Sequence, residues 1–124
     1  MIRPPFLQPG DTVGITAPAG CLAEAEILPS VELLRGWDLN VVYGEHLFRR
    51  HNSFAGTDLQ RASDFQKMLD RPDIRAILCA RGGYGSIRIL DQLKFGRFLK
   101  QPKWIAGYSD ITTLHAFLQQ CLGT

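Results

Sequence analysis

The chain has 124 residues, of which 45% are hydrophobic and 21% are charged, a composition typical of one soluble globular domain. Its net charge of +2 and its scattered Lys and Arg residues argue against a nucleic-acid-binding protein. We expect no signal peptide or membrane span, because no segment is long and apolar enough. The three cysteines fit neither a disulfide framework nor a zinc site, which favours buried thiols in a cytoplasmic protein.

Two strands and one helix are predicted in the first third of the chain. The run 12–17 is short and rich in β-branched side chains, and Pro18 ends it, so it is predicted to be a strand. A helix is predicted over 30–35 because it follows a proline and a glycine supplies its stop signal. The apolar run 40–43 is predicted to be the second strand, and a polar loop over 44–56 follows it.

A longer helix is predicted from Thr57 to about Asp70. Thr57 and Gln60 have the spacing of a capping box, in which the side chain of each residue accepts a hydrogen bond from the backbone N–H of the other. Apolar side chains then recur at helical spacing and predict one buried face. That face consists of Leu59, Ala62, Phe65 and Leu69.

The second half of the chain continues the alternation of strands and helices. Residues 75–80 are predicted to form the third strand and residues 104–107 the fourth. A glycine-rich turn over 81–85 follows the third strand. Helical segments are predicted over 86–93, 95–99 and 110–122. The apolar face of the last helix consists of Leu114, Phe117, Leu118 and Cys121.

This alternating order predicts an α/β fold, a flavodoxin-like parallel sheet of about four strands sandwiched between helices. Near-continuous apolar strands agree, because both faces of a parallel sheet are buried. In the strand order 2-1-3-4, the carboxyl ends of strands one, three and four are neighbours. Since ligands bind beyond the carboxyl ends of such strands, we expect the three loops there to converge on one crevice.

Ser109 follows the fourth strand in the run 107–110, Gly-Tyr-Ser-Asp. A sharp strand-to-helix turn at this point would form a nucleophile elbow. The backbone N–H of Asp110 is then the natural first oxyanion donor, and that of Gly83 is the best candidate for the second. The spacing alone is weak, because Ile111 stands where Gly-x-Ser-x-Gly has its second glycine. On spacing alone, Ser109 or Asp110 could equally be a helix cap.

A serine nucleophile needs a general base. The chain has three histidines, at positions 46, 51 and 115. His115 lies within the last predicted helix, on a different side from the elbow. His46 and His51 follow the second strand, at the far side of the sheet, and neither has an acidic partner at a diagnostic spacing. We therefore expect no complete triad within this chain.

The glycine turn has a second interpretation, in which it makes a tight turn or holds a phosphate. It lacks the Gly-Lys-Ser/Thr ending of a P-loop, and Arg88 interrupts the full Gly-x-Gly-x-x-Gly spacing. A non-catalytic α/β module that binds a phosphate or another small anion is therefore an alternative function.

Several motifs in order along the chain resemble the N-terminal domain of the L,D-carboxypeptidases, a serine peptidase family that includes microcin immunity proteins. The resemblance covers essentially the whole chain, and the stretch around Ser109 is its most specific part. The matching segments are 9–18, 58–65, 80–85, 90–93 and 102–115.

The resemblance implies a Ser-Glu-His hydrolase that cleaves an L–D amide bond and releases terminal D-alanine from murein tetrapeptide during cytoplasmic cell-wall recycling. It implies Ser109 as the nucleophile and the backbone amides of Gly83 and Asp110 as the oxyanion hole. Arg81 and Tyr84 are expected near the site as candidates for substrate binding. No metal or organic cofactor is implied. A microcin-immunity-type peptidase acting on a peptidyl nucleotide is the nearest alternative.

In that family the glutamate and the histidine of the triad lie in a C-terminal domain. We expect residues 1–124 to be the nucleophile-bearing N-terminal domain, with the C-terminal domain absent, and to be inactive alone. A face that would meet a second domain would then be bare, so we also expect self-association, for example as a homodimer.

Overall fold

Four parallel strands form the sheet of the computed structural model, which describes residues 3–122, the last two by their backbone alone. The strands are β1 (Thr12–Thr16), β2 (Asn40–Tyr43), β3 (Ile74–Cys79) and β4 (Trp104–Ala106). Their order is β2-β1-β3-β4, and each neighbouring pair is parallel. The predicted α/β fold and strand order are confirmed.

The helices of the described residues connect and follow these strands. The α-helices are α1 (Glu24–Gly36), α2 (Asp58–Asp70), α3 (Gly96–Lys100) and α4 (Thr112–Phe117). Turns of 3-10 helix span Ser86–Arg88, Leu90–Gln92 and Ser109–Ile111, and a π-helical segment spans Leu118–Leu122. Within residues 3–122, no helix has the length and apolar character needed to cross a membrane.

Helices cover both faces of the sheet. One apolar cluster joins α2, α3 and α4 to β3, and Phe65, Ile77 and Ile111 are fully buried within it. A second cluster packs α1 against β1, with Ile15 and Val31 buried. Each such side chain contributes about 1.5–3 kcal/mol by leaving water. The central strands β1 and β3 are therefore buried on both sides, as their sequence predicts, whereas the edge strands β2 and β4 are only partly buried.

Helix α1 begins six residues before its predicted start. The Glu26 side chain accepts a hydrogen bond from the Ala23 N–H at 3.1 Å, and the helix then continues through Pro29. Proline cannot donate the usual bond to the carbonyl four residues earlier. Both Pro29 and Ala25 are exposed, so water can satisfy that carbonyl. The prediction was wrong because it took the proline as a boundary.

The capping box of α2 is confirmed. The Gln60 N–H donates to Thr57 Oγ1 at 3.2 Å, and the Thr57 N–H donates to Gln60 Oε1 at 3.0 Å. Leu59, however, was wrongly placed on the buried face, because its side chain is 75% exposed. In the first turn of α2 the buried side chain is that of Arg61, of which 1% is exposed.

The segment after the glycine turn is not the predicted continuous helix. It forms two 3-10 turns, in which side chains three residues apart share a face. Ser86 and Ile89 are buried at that spacing, whereas Ile87 is exposed. The last predicted helix is likewise divided into 3-10, α and π segments. Its Leu114 and Leu118 are buried and Phe117 is partly buried, while the Cys121 side chain lies outside the described residues.

Candidate active site

The loops that follow β1, β3 and β4 meet at the carboxyl end of the sheet. The Gly20 N–H, after β1, donates to the Gly82 carbonyl, after β3, at 2.9 Å. Gly82 in turn lies against Ser109, after β4, so closely that a Cβ at residue 82 would be 2.9 Å from Ser109 Cβ. A glycine at residue 82 is therefore what lets the two loops touch. The predicted convergence of the three loops is confirmed.

Ser109 sits on a sharp turn between β4 and α4. Its φ of +59° is in the left-handed region, and its side chain is exposed. That conformation costs a non-glycine residue about 1–2 kcal/mol. The Ile111 N–H closes the turn on the Tyr108 carbonyl at 3.2 Å. This is the geometry expected of a nucleophile elbow.

The helix-cap interpretation of Ser109 and Asp110 does not fit this geometry. A capping residue has extended backbone and accepts a backbone N–H with its side chain. The extended residue before this helical turn is Tyr108, and no side chain caps the turn. Ser109 instead has a left-handed backbone, and the Asp110 side chain turns to another loop.

The Asp110 carboxylate binds Ser86 at the exit of the glycine turn. Asp110 Oδ2 accepts hydrogen bonds from the Ser86 N–H at 2.9 Å and from the Ser86 hydroxyl at 2.5 Å. The Ser86 side chain is buried, with 1% of the residue exposed. Two loops that carry proposed site residues are therefore joined directly by a charge-assisted contact.

Each proposed oxyanion donor has an N–H without an acceptor in the described part of the chain. Neither Gly83 nor Asp110 donates its backbone N–H to another protein group there. Gly83 has a φ of +95° and follows Gly82, which contacts Ser109. Both N–H groups are therefore free to bind a ligand oxygen, and their role as an oxyanion hole stays a prediction.

Arg61 is a fully buried arginine that ties the surrounding loops to α2. Its Nε donates to the Pro18 carbonyl after β1 at 2.9 Å, and Nη1 donates to the Gly56 carbonyl at 2.9 Å. Its Nη2 pairs with Asp58 Oδ1 at 2.7 Å and reaches the Gly85 carbonyl at 3.4 Å. The guanidinium thus joins the loop after β1, the loop before α2 and the glycine turn.

Asp58 balances the charge of this buried guanidinium and binds a second arginine as well. Arg88, which follows the glycine turn, donates to Asp58 Oδ2 from Nη2 at 3.0 Å. Hydrogen bonds from Arg88 and Arg61 lower the pKa of the Asp58 carboxyl, so it stays ionised at neutral pH. The signal in the sequence was an arginine four residues before Phe65, on the buried face of α2.

His46 has an acidic partner that the sequence analysis did not identify. Its Nδ1 lies 2.8 Å from Asp64 Oδ1, and its backbone N–H donates to Asp64 Oδ2 at 2.8 Å. The two residues are 18 positions apart in the chain, so their spacing did not indicate the pair. His46 follows β2, three strands from β4, which places it roughly 14 Å from the elbow at the usual strand spacing of about 4.8 Å.

Among the described residues, the other two histidines make no hydrogen bond to Ser109 either. His115 Nε2 lies 3.0 Å from the Ile105 carbonyl oxygen, and His51 is an exposed loop residue. Cys79 is buried, which raises its thiol pKa to about 12 and keeps it protonated. Within residues 3–122, no histidine hydrogen-bonds to Ser109, and no three His, Cys, Asp or Glu side chains are placed to hold a metal ion.

Comparison with known proteins agrees with this geometry. The profile of the LD-carboxypeptidase N-terminal domain matches residues 13–124. The chain belongs to this family. It is 42% identical to the putative carboxypeptidase SCO6489 of Streptomyces coelicolor, over 99% of this chain and 41% of that protein. It is 37% identical to the probable murein peptide carboxypeptidase of Bacillus subtilis, over 98% of this chain and 38% of that protein.

A solved structure has the same fold. A variant of the microcin C7 self-immunity protein MccF in complex with adenosine monophosphate superimposes with a TM-score of 0.92 and 28% identity. The match covers 99% of this chain and 38% of that one. The chain thus spans about 40% of the length of the relatives that it matches.

The two substrate-binding candidates of this LD-carboxypeptidase domain are exposed residues of the glycine turn. Tyr84 is exposed, and its ring is 6.3 Å from that of Phe54. Arg81 is also exposed, and its Nη1 donates to the Cys21 carbonyl at 2.7 Å. Tyr108, beside Ser109, is 77% exposed and was not identified from the sequence. Its position just before the proposed nucleophile was the available signal.

Proposed function

We propose that residues 1–124 form the nucleophile-bearing N-terminal domain of an L,D-carboxypeptidase, with Ser109 as its nucleophile. The observation that carries this proposal is the exposed, left-handed Ser109, held at the carboxyl end of the sheet against Gly82. A left-handed serine is strained, and strain of this kind concentrates at functional sites. Membership of the LD-carboxypeptidase family supports the same assignment.

The proposed reaction is acyl transfer. Ser109 Oγ attacks the carbonyl carbon of the L–D amide and loses its proton to a general base, which passes that proton to the leaving amine as the C–N bond breaks. The terminal D-residue leaves, and water then hydrolyses the ester to restore the serine. The backbone N–H groups of Gly83 and Asp110 stabilise the oxyanion, and one such donor is typically worth about 3–4 kcal/mol.

The general base of this proposal comes from outside residues 1–124. The family resemblance assigns that role to a histidine, oriented by a glutamate, in a C-terminal domain. Losing a triad member leaves only the acceleration that binding and the oxyanion hole provide. We therefore propose that the 124 residues alone release no product at an enzymatic rate.

The proposed substrate is a murein-derived tetrapeptide in the cytoplasm, from which D-alanine is released. The relationship to the probable murein peptide carboxypeptidase of Bacillus subtilis supports this choice. Arg81 and Tyr84 are exposed on the glycine turn and are proposed to contact the substrate. The reaction requires no metal or organic cofactor, because the serine, its base and the amide donors supply the chemistry.

A microcin-immunity-type peptidase is the second candidate, and the structural match to MccF favours it. That protein's complex holds adenosine monophosphate. In this alternative the same Ser109 would cleave an amide bond of a peptidyl nucleotide. Both candidates use the same acyl transfer at Ser109. They differ in the substrate that is recognised, which is a murein peptide ending in D-alanine in the first and a peptidyl nucleotide in the second.

The test uses the complete gene product and murein tetrapeptide, with D-alanine release measured by mass spectrometry. We expect release by the wild type and by the control Ser30→Ala, which removes a hydroxyl in the middle of α1. Ser109→Ala should lower the rate at least about 1000-fold. Full activity in Ser109→Ala would refute the nucleophile, and cleavage of only an aminoacyl-nucleotide amide would favour the second candidate.

A further inference from the structure

We infer that Asp110 is a positioning residue, whose carboxylate binds Ser86 and thereby holds the glycine turn at a fixed distance from the elbow. The inference rests on the proposed function of Ser109 and adds a role for the side chain that follows it. Its consequence is that the two proposed oxyanion donors, the N–H groups of Gly83 and Asp110, face one point.

The contact is built as a specific link and not as an exposed ion pair. Both donors of Ser86 reach the same oxygen, Asp110 Oδ2, at 2.9 and 2.5 Å. Ser86 is buried, so its hydroxyl depends on this acceptor. Within the described residues Asp110 pairs with no Lys, Arg or His. Its charge therefore strengthens hydrogen bonds to a neutral partner.

The link fixes the glycine turn at a second point. The first point is Gly82, which packs against Ser109. The second is Ser86, which is held by Asp110. Gly83 lies between these two points, and its N–H has no other partner to orient it within residues 3–122. The position of that N–H relative to Ser109 is therefore set by the two anchors together.

This arrangement separates the two parts of Asp110 by role. Its backbone N–H stays without a protein acceptor, while its carboxylate is engaged by Ser86. One oxygen of the carboxylate, Oδ2, is thus already bound to the glycine turn. Asp110→Asn keeps the shape and one acceptor oxygen but loses the charge. Ser86→Ala keeps the backbone hydrogen bond and loses only the hydroxyl.

The first experiment measures kcat and KM for murein tetrapeptide with the complete gene product. We expect Asp110→Asn to lower kcat about 10- to 100-fold with KM within about twofold, because a displaced oxyanion donor weakens transition-state binding. Ser86→Ala should have a smaller effect of the same kind, and the double variant should be no slower than Asp110→Asn. The matched control Asp91→Asn, at an exposed carboxylate in the next turn, should leave both constants unchanged. An unchanged kcat in Asp110→Asn would overturn the inference, and so would a loss of kcat/KM that comes from a raised KM alone.

The second experiment tests whether the link positions the glycine turn, and it does not depend on enzymatic activity. In the 124-residue chain, we expect Asp110→Asn and Ser86→Ala to shift the amide resonance of Gly83 in a ¹⁵N–¹H spectrum. Asp110→Asn should also speed hydrogen exchange at the Ser86 amide. Asp91→Asn should do neither. If the complete gene product releases no D-alanine while Gly83 responds in the 124-residue chain, the proposed function fails and the positioning link stands. If Gly83 does not respond, the link is refuted whatever the activity.

Discussion

Gly107 lies so close to Ile111 that a Cβ at residue 107 would be 2.7 Å from Ile111 Cγ2 and 2.9 Å from Cγ1. Ile111 is completely buried and cannot move aside. The residue two before the proposed nucleophile must therefore be glycine for a packing reason. The same isoleucine occupies the position where the Gly-x-Ser-x-Gly pattern has its second glycine, so the elbow keeps its first glycine while a core side chain replaces the second.

The first prediction is that Gly107→Ala lowers the free energy of unfolding by about 1–3 kcal/mol, because the added methyl overpacks the core. Urea denaturation measures this change. Gly96→Ala is the control, since a Cβ at residue 96 would meet nothing within 4 Å. In the double variant Gly107→Ala/Ile111→Ala the loss should be smaller than the sum of the two single losses. Strict additivity would contradict the proposed clash.

The sheet could be predicted from the sequence because its signals are local, whereas the spacing around Ser109 alone did not distinguish an elbow from a helix cap. Four short apolar runs separated by helical segments allow few topologies, and crossover connections in such folds have one hand. The capping box of Thr57 and Gln60 is a four-residue pattern and was correct. Pro29 misled the prediction because a proline usually ends a helix, whereas here its exposed position lets water bind the carbonyl that has lost its donor.

The contacts that organise the site join residues far apart in the chain, and no spacing rule reveals them. Asp110 and Ser86 are 24 residues apart, and His46 and Asp64 are 18 apart. Each partner is an ordinary surface residue type when considered alone. Only the strand order brings the glycine turn beside the elbow, so these pairs become visible after the fold is known.

The second prediction concerns the buried guanidinium of Arg61. Arg61→Met should lower the free energy of unfolding by about 3 kcal/mol or more, because the carbonyls of Pro18 and Gly56 lose their donor without gaining water. Arg61→Lys should recover part of this loss. Arg88→Met is the control, because Arg88 pairs with the same Asp58 from an exposed position and should cost less than about 1 kcal/mol. Equal losses in the two methionine variants would contradict this account.

The third prediction is a pH dependence caused by Lys103. Its Nζ donates to the carbonyls of Met68 and Arg71 at the end of α2, and only 5% of the residue is exposed. Burial lowers its pKa from 10.5 to about 8. Between those pH values the unfolded chain binds the proton and the folded chain does not, so the stability contributed by Lys103 rises with pH.

Lys103→Met removes this dependence, and the comparison isolates it from other titrating groups. From pH 7 to pH 11, the wild type should gain about 3 kcal/mol of unfolding free energy relative to the variant, measured by urea denaturation at each pH. The opposite effect of the Cys79 thiol, whose pKa is raised to about 12, is present in both proteins and cancels. Parallel pH curves for the two proteins would exclude the buried ammonium as their cause.

The fourth prediction contrasts two threonines. Thr16, at the end of β1, is completely buried, and its Oγ1 has no hydrogen-bond partner among the described residues. Thr57 is exposed, and its Oγ1 caps α2. Replacement by valine should therefore change the free energy of unfolding in opposite directions at the two positions. Thr16→Val should raise the free energy of unfolding by about 1 kcal/mol, because it removes an unpaired buried hydroxyl at constant shape. Thr57→Val should lower it by about 1 kcal/mol through loss of the cap. Thermal unfolding of the two variants side by side distinguishes these effects, and a destabilised Thr16→Val would show that the hydroxyl has a partner in solution.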